Sequence, residues 1–486
     1  MNTFNKKSLY VALASMSALG MTGAAQAVNV NPDGLGQALI YPYYTTQDKV
    51  AGAAFNTLLS VVNSTNSAKV VKVRILEGKA SQEVLDFNLW LSARDVWTAA
   101  IIPSGTGAGI FTADNSCTTP KVSTSQSAPS NFVNFGYAGD PLPQTLDRTK
   151  EGYIEIIEMG NLTGATAASI THSSAGVPAC TGLSSSGTAP TDLVPGNGGL
   201  FGGVTLINVL AGEDYSANAT ALANFSATTL WGAPSSVQPD LTQVNPKTSV
   251  VFNNNSVVTT DWSLSSKTVD AVSAVLMHDN VLNEFVLDAV TKSGTDWVVT
   301  MPTKKYYYTA NVVTKLFQRN LSATGACDDV VLTQYNREEA TVTSGVTFSP
   351  PAVTPTDSIC WEANVITFNN TNVLGSANKA NAPSTFSNGW VNLNFPLITG
   401  PTNPAANHTL VASGGNGTFT AALSLTTGAV TTTNATTATY TGLPVIGFAA
   451  QSFNNGNLSG ALSGTLIQSN YGGNFDHRYT RAIVSP

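Results

Sequence analysis

The sequence predicts a mainly β protein, two antiparallel β-sandwich-like lobes with one or two short helices. Three observations carry this. Short runs of alternating apolar and polar residues recur with turn residues between them, at a spacing of about ten residues. The 486 residues exceed what one ordinary core accommodates. Four cysteines, Cys117, Cys180, Cys327 and Cys360, fall two to each half of the chain.

The elements follow in order. Leu58–Asn63 is a short strand that ends in the turn-rich Asn63–Ser67. Val70–Ile75 alternates Val71, Val73 and Ile75 against Lys72 and Arg74, a strand with one wet face. Val84–Leu91 places Leu85, Phe87, Leu89 and Leu91 on one face, and Val96–Ile102 follows. Tyr153–Glu158 and Gly202–Val209 continue the style. A helix is expected at Tyr215–Phe225 from its alanine content, and a second over Lys267–Glu284, with Asp270 and Asp279 on its outside. Strands resume at Trp297–Met301, Lys305–Val312, Val330–Tyr335, Asn364–Phe368, Trp390–Phe395 and Pro444–Phe448. Gly400–Tyr440 contains no Asp, Glu, Lys or Arg, and reads as a long loop or a flat hairpin of small residues. Pro234, Pro239 and Pro246 mark a soft boundary, giving domains 28–235 and 236–486, the second with the insertion 400–440.

Composition and targeting signals bear on location. Only 10% of residues are charged although 42% are apolar, whereas an ordinary soluble domain carries about 25% charge. Thr, Ser, Asn, Gly and Ala replace the missing charge, giving a neutral, hydroxyl- and amide-rich surface suited to an extracellular layer. Lys6 and Lys7, the apolar and small-residue run Leu9–Ala25, and Ala25-Gln26-Ala27 form the three parts of a secretory signal over residues 1–27. Cleavage is expected after Ala27, leaving Val28 first, with no cysteine there for a lipid anchor. No later segment has 18 consecutive apolar residues, so no further membrane span is expected. Losing Lys6 and Lys7 takes the formal charge from −7 to about −9, which argues against nucleic acid and anionic membranes as partners. The expected location is extracellular or cell-surface in preference to periplasmic.

An even cysteine count suits an oxidising compartment. Three pairings exist; nearest-neighbour pairing, Cys117–Cys180 and Cys327–Cys360, gives each lobe its own bridge. The isolated spacing disfavours a cysteine metal site.

Chemistry-bearing motifs are sparse. His172, His278, His408 and His477 show no HxH or HxxxH spacing, and three of them sit in loop or tail sequence and read as solvated. No GxSxG elbow or phosphate loop appears in context; Gly105-Thr106-Gly107 reads as a turn. Glu155 and Glu158 on one strand point to opposite faces and cannot act as a local pair. Asp328 and Asp329 offer hard oxygen ligands for Ca²⁺, the single cofactor candidate, against a structural-loop reading. Arg337-Glu338-Glu339 reads as a solvated edge. Trp90, Trp97, Trp262, Trp297, Trp361 and Trp390 lie in strand-like sequence, and Tyr306–Tyr308 and Tyr41, Tyr43 and Tyr44 cluster. Core packing and subunit contact are the ordinary roles; an exposed glycan-binding face is the alternative.

Several phrases occur together: GQALIYPYY (Gly36–Tyr44), TLLSVVNST (Thr57–Thr65), KVRILEGKASQEVLDFNLWLS (Lys72–Ser92), GYIEIIEMG (Gly152–Gly160), CWEANVITFN (Cys360–Asn369) and GLPVIGFAAQ (Gly442–Gln451). On these the chain resembles a group of secreted proteobacterial cell-surface proteins. The resemblance implies export and surface display, and brings no catalytic residue with it.

The leading expectation is therefore a non-enzymatic exported structural protein, a subunit of a surface layer, sheath or filament, that associates with itself or with other cell-surface components. The apolar segment Leu35–Tyr44, through Leu35, Ile40, Tyr41, Tyr43 and Tyr44, has no evident local partner and is expected to add as a strand to the next subunit. Deleting 28–45 would then leave a folded monomer. The runner-up is an adhesin or glycan-binding module with loop tips at Cys117–Ser130 and Gly400–Tyr440. A secreted hydrolase using Asp328, Glu338 or Glu362 is the third reading.

Overall fold

In the computed structural model, residues 26–253, 256–308, 316–344, 357–400, 403–413, 419–423, 430–434, 437–459 and 466–484 are described. Of the signal-like residues 1–27, residues 1–25 lie outside them. The chain is mainly β, with several antiparallel sheets, one parallel pairing between Ala363–Phe368 and Lys379–Ala382, and two short α-helices among the described residues.

Two sheets form the N-terminal half. The first has eight strands. Its path runs Asn29–Val30, Thr220–Ala223, Ala38–Thr45, Glu151–Leu162, Ala68–Glu77, Glu83–Leu91, Cys117–Thr119, and Leu193–Val194 pairs off it. The second has six, in the order Ser130–Asn131, Gly107–Phe111, Val96–Ser104, Asn56–Asn63, Leu200–Asn208, Glu213–Asn218. Alternation drives their packing. Val71, Val73, Ile75, Phe87 and Leu89 of the first sheet meet Leu59, Val61, Trp97, Ile101 and Leu206 of the second in one core. Phe87 and Trp97 contact edge-on at 5.7 Å. Each such buried aliphatic or aromatic side chain contributes about 1.5–3 kcal/mol.

The expected wet face of Val70–Ile75 is not wet. Lys72 and Arg74 are buried, because the proline-marked segment folds back over them. Lys72 Nζ donates to the carbonyls of Ala233 and Pro234 at 3.0 Å each, and Asn88 Nδ2 donates to Gly232 O. Arg74 lies directly opposite Glu155 and Asp86 in register, pairs with Glu155, and reaches Glu83 through Nε at 2.9 Å.

Two further sheets form the C-terminal half. One has Thr341–Ser344, Asp328–Tyr335, Asn388–Asn394, Asn280–Val286 and Arg478–Thr480 in order, with Asp357–Ile359 beside it; the other runs Lys379–Ala382, Ala363–Phe368, Gly294–Thr300, Ile446–Ser459, Leu466–Asp476. Phe285, Leu332 and Leu393 pack against Trp297, Ile366 and Phe368 between them, with Phe285 and Phe368 stacked at 5.3 Å. On the opposite face Val298, Val365, Phe448 and Ala450 join the core of the first half. Thr300 Oγ1 donates to Pro42 O across this seam at 2.6 Å.

Local expectations fail where tertiary context overrides propensity. Tyr215–Phe225 is not a helix but two strands, Glu213–Asn218 and Thr220–Ala223. Tyr215, Ala217, Ala219 and Ala221 are buried while Ser216 and Asn218 are exposed, a period of two that outweighs alanine's helix preference. The second expected helix shrinks to Asp270–Leu276, buried on all sides, before the chain becomes the strand Asn280–Val286. Asp270, expected outside, is buried and accepts from Tyr307 Oη at 2.5 Å. Gly164–Ile170, not foreseen, is the other helix. Lys305–Val312 begins in a 3-10 turn, Lys304–Tyr307, and residues 309–315 lie outside the described residues. Within Gly400–Tyr440 the described pieces are antiparallel strand pairs: Ile398–Gly400 with Asn403–Asn407, Thr409–Ser413 with Thr437–Thr441, and Phe419–Leu423 with Val430–Asn434. Tyr440 anchors them, its hydroxyl 2.7 Å from Thr260 Oγ1 and its ring against Trp262.

Candidate functional site

The segment expected to seek a neighbouring subunit already has partners. Ala38–Thr45 is buried throughout and sits inside the first sheet, between Thr220–Ala223 and Glu151–Leu162. Tyr41 Oη donates to Ser60 O at 2.8 Å, Tyr43 Oη to Glu151 at 2.6 Å and Tyr44 Oη to Thr149 O at 3.0 Å. Ile40 is in the core, and only Leu35, 37% exposed, reaches solvent. The strand pairs that satisfy this segment come from residues more than a hundred positions away, which is why it looked unpartnered.

The surface that does stand open is the outer face of the second sheet. Its rungs are set by register. Val96, Val62 and Phe201 lie side by side; then come Thr98, Ser60, Gly203 and Asn218; then Ala100, Leu58, Thr205 and Ser216. Leu58, Val96 and Phe201 are 43%, 48% and 42% exposed. Gly203 has no side chain and Ser60 a small one, so the middle rung is lower than its neighbours. The result is a trough of about 640 Å³ whose lining residues include no Asp, Glu, Lys, Arg or His. The sheet's Glu213–Asn218 edge is covered from the C-terminal half. Asn470 Nδ2 donates to Ala211 O at 2.7 Å, and Asn474 Nδ2 donates to Ser216 O.

The ionisable residues lie elsewhere, and many are inside. The structure does not bring Asp328 and Asp329 together as a pair of ligands. They point to opposite sides of their strand and each takes a cation. Asp328, fully buried, pairs with Lys304 at 2.9 Å and lies 3.5 Å from His408 Nε2. Burial pushes its carboxyl up, but Lys304 and His408 hold it below the ordinary range. Asp329 binds Arg319 through both oxygens, at 2.8 and 3.1 Å. Among the described residues no group of three His, Cys, Asp or Glu could hold a metal ion.

The histidines are not solvated either. His278, His408 and His477 are buried, and His172 is half-buried. Burial lowers the imidazole of His477 to about 4 while its Nε2 stays 2.9 Å from Val298 O. The hydrolase carboxylates are dispersed in role. Glu338 sits in an exposed turn beside Arg337, and Asp328 is spent on Lys304. Glu362 is buried at the seam, accepting from Ser81 Oγ at 2.7 Å and from Tyr308 Oη. Glu155 and Glu158 do face opposite ways, each to its own buried cation, Arg74 and Lys69.

Of the tryptophans, Trp90, Trp97, Trp262 and Trp297 are core residues, Trp361 is half-buried, and Trp390 is 41% exposed and stacked on Tyr335 at 4.2 Å. Both disulfides join the nearest-neighbour cysteines, Cys117–Cys180 and Cys327–Cys360. Disulfides of this kind suit a non-cytoplasmic environment. No helix among the described residues is long and apolar enough to cross a membrane. Set against known proteins, the chain matches no family model, no curated protein and no solved structure.

Proposed function

We propose that the chain is an exported, non-enzymatic structural protein that packs against copies of itself in a surface layer, sheath or filament. The observation that carries this is the uncharged trough on the second sheet. Without Lys6 and Lys7 the chain carries a formal charge of about −9, and copies of it repel one another least where they present no charge. Sheets packed face to face lie about 10 Å apart, with side chains of one row entering the grooves of the other. Five strands about 4.8 Å apart and about 25 Å long give a footprint of about 600 Å² per copy. Doubled, that reaches about 1,200 Å², the lower end of specific interfaces. Export is supported by the two disulfides and by the signal-like residues 1–27.

Negative-stain electron microscopy of the secreted protein, with immunogold labelling, tests the reading. Labelled filaments or lattices are expected, and Leu58→Lys with Phe201→Lys should disperse them. Single particles from the unaltered protein at every concentration would overturn it.

A glycan-binding adhesin is the second reading, favoured by the exposed Trp390 ring stacked on Tyr335. It requires glycan-array binding that Trp390→Ala abolishes.

A further inference from the structure

Lys69 is one of three buried cations on the strand Ala68–Glu77. Its side chain is wholly buried, and Nζ lies 2.5 Å from Glu158 Oε1 and 2.8 Å from Asn161 Oδ1, with Asn197 Oδ1 also in contact. Lys69 and Asn161 face each other in register across the two antiparallel strands Ala68–Glu77 and Glu151–Leu162. The register shifts between Glu158 and Gly160. The extra residue of that bulge brings Glu158 and Asn161, three apart, to the same side of the sheet, where a regular strand would separate them. Glu158 is fixed from behind: Oε2 accepts from Gly198 N at 2.9 Å and Oε1 from Asn197 N at 3.3 Å. Gly196 makes the space, since a Cβ there would land on the Glu158 carboxylate. Asn161 is buried, and its Nδ2 donates to Pro195 O at 3.1 Å, which turns the amide oxygen toward Lys69.

An amine, an amide and a carboxyl group enclosed together are the reactants and the acid–base catalyst of a transamidation. We propose that Lys69 and Asn161 become joined by an intramolecular isopeptide bond, formed by the chain itself with Glu158 as the proton carrier. Glu158 takes a proton from the Lys69 ammonium, leaving a neutral amine beside a neutral acid. The lone pair of Nζ attacks Cγ of Asn161 and a C–N bond forms as the carbonyl electron pair moves onto Oδ1, which Glu158 protonates. When the carbonyl re-forms, Oδ1 returns its proton to Glu158, which ends as the neutral acid; the Cγ–Nδ2 bond breaks, and Nδ2 leaves as ammonia carrying the proton that Nζ gives up. A primary amide and a primary amine become a secondary amide and ammonia; nothing is oxidised or reduced. Burial favours the reactive state, lowering the Lys69 ammonium and raising the Glu158 carboxyl from their ordinary values, although each partner opposes this for the other. Beside the site an open cleft of about 580 Å³, lined by Gly196, Asn197 and Gly198, gives ammonia a way out. The bond is independent of the assembly reading and would stand if that failed.

The test is mass spectrometry of the full-length secreted protein, intact after reduction and denaturation, then as peptides. The expected result is a mass short by one ammonia and a branched peptide in which Lys69 is joined to Asn161. Glu158→Gln, and separately Asn161→Ala, should restore the missing mass. Gly196→Ala, which displaces the Glu158 carboxylate, should leave a mixture of joined and open chains. An unaltered protein that lacks the branched peptide overturns the proposal whatever the variants do. So does a branch to Asn197, or an ammonia loss that maps to the chain's N terminus.

Discussion

Replacing Glu362 with glutamine should flatten the dependence of stability on pH between about 4.5 and 7, and raise stability on the alkaline side. Glu362 stands at the seam between the halves, immediately before the strand Ala363–Phe368. Its partners cross that seam: Ser81 Oγ donates to Oε2 at 2.7 Å, Tyr153 Oη donates to Ser81 Oγ at 2.8 Å, and Tyr308 Oη donates to Oε1. Burial pushes the carboxyl up to about 7, against the lowering effect of Tyr308, Ser81, Lys304 and Lys305. The folded state therefore keeps a proton that the unfolded chain gives up near the ordinary 4.5. The sign follows by linkage. This group's stabilisation is complete below pH 4.5, and it falls away as the pH rises through 7, because the unfolded chain binds fewer protons over that interval. From 4.5 to 7 at about 1.4 kcal/mol per tenfold change, the loss is about 3 kcal/mol. Glutamine resembles the protonated form and holds it at every pH. Urea unfolding of both proteins from pH 4.5 to 8 isolates the effect, because Asp86, raised to about 6, and His477, lowered to about 4, titrate alike in each. The two should agree near pH 4.5 and diverge, with the variant ahead by about 3 kcal/mol at pH 8. Parallel curves, or a variant that is the weaker at pH 8, would refute the reasoning.

Two other changes test the packing. Arg74→Met leaves Glu155 buried without its cation and should cost about 3–5 kcal/mol at neutral pH; adding Glu155→Leu should recover most of it, both read by urea denaturation. Deleting residues 28–45 removes a strand from inside the first sheet and exposes the edges of both its neighbours. No folded monomer should be recovered by size exclusion and circular dichroism, the opposite of what an unpartnered N-terminal segment would give.

Periodicity reveals which side chains share a face, and there the sequence reads well. Val71, Val73 and Ile75, or Phe87, Leu89 and Leu91, alternate inward as their spacing requires. Periodicity does not reveal what covers the other face. Lys72 and Arg74 looked wet because charged residues usually are, yet the segment around Ala233 and Pro234 lies on them. A signal for this was present in the charges themselves. Each cation of Ala68–Glu77 has an acidic partner on an adjacent strand, Lys69 with Glu158, Lys72 with Asp86 and Arg74 with Glu155, a match that free solvent would not demand. Register is the missing quantity. It places Asn161 opposite Lys69, 92 residues away, and no local pattern encodes it. The alanine-rich Tyr215–Ala221 failed for a related reason: its alternation was real, but alanine's helix propensity was given more weight than a period of two.

The low charge of this chain acquires a different meaning once its placement is known. Lys69, Lys72, Arg74, Glu77, Arg148, Glu151, Glu155, Glu158, Lys304, Asp328 and Glu362 are all buried. A composition with only 10% charged residues thus spends many of them inside, and the surface is more neutral than the composition alone implies. Buried ion pairs add little net stability, since desolvation offsets their attraction. What they do impose is register: a strand slipped by one residue would bury Arg74 or Lys69 against an apolar side chain with no counter-charge, at a cost of several kcal/mol. Interior pairs that fix the ladders and an uncharged trough on the outer face are then two consequences of one distribution. The first holds the sheets in a single arrangement, and the second is the surface on which the proposed packing of copies rests.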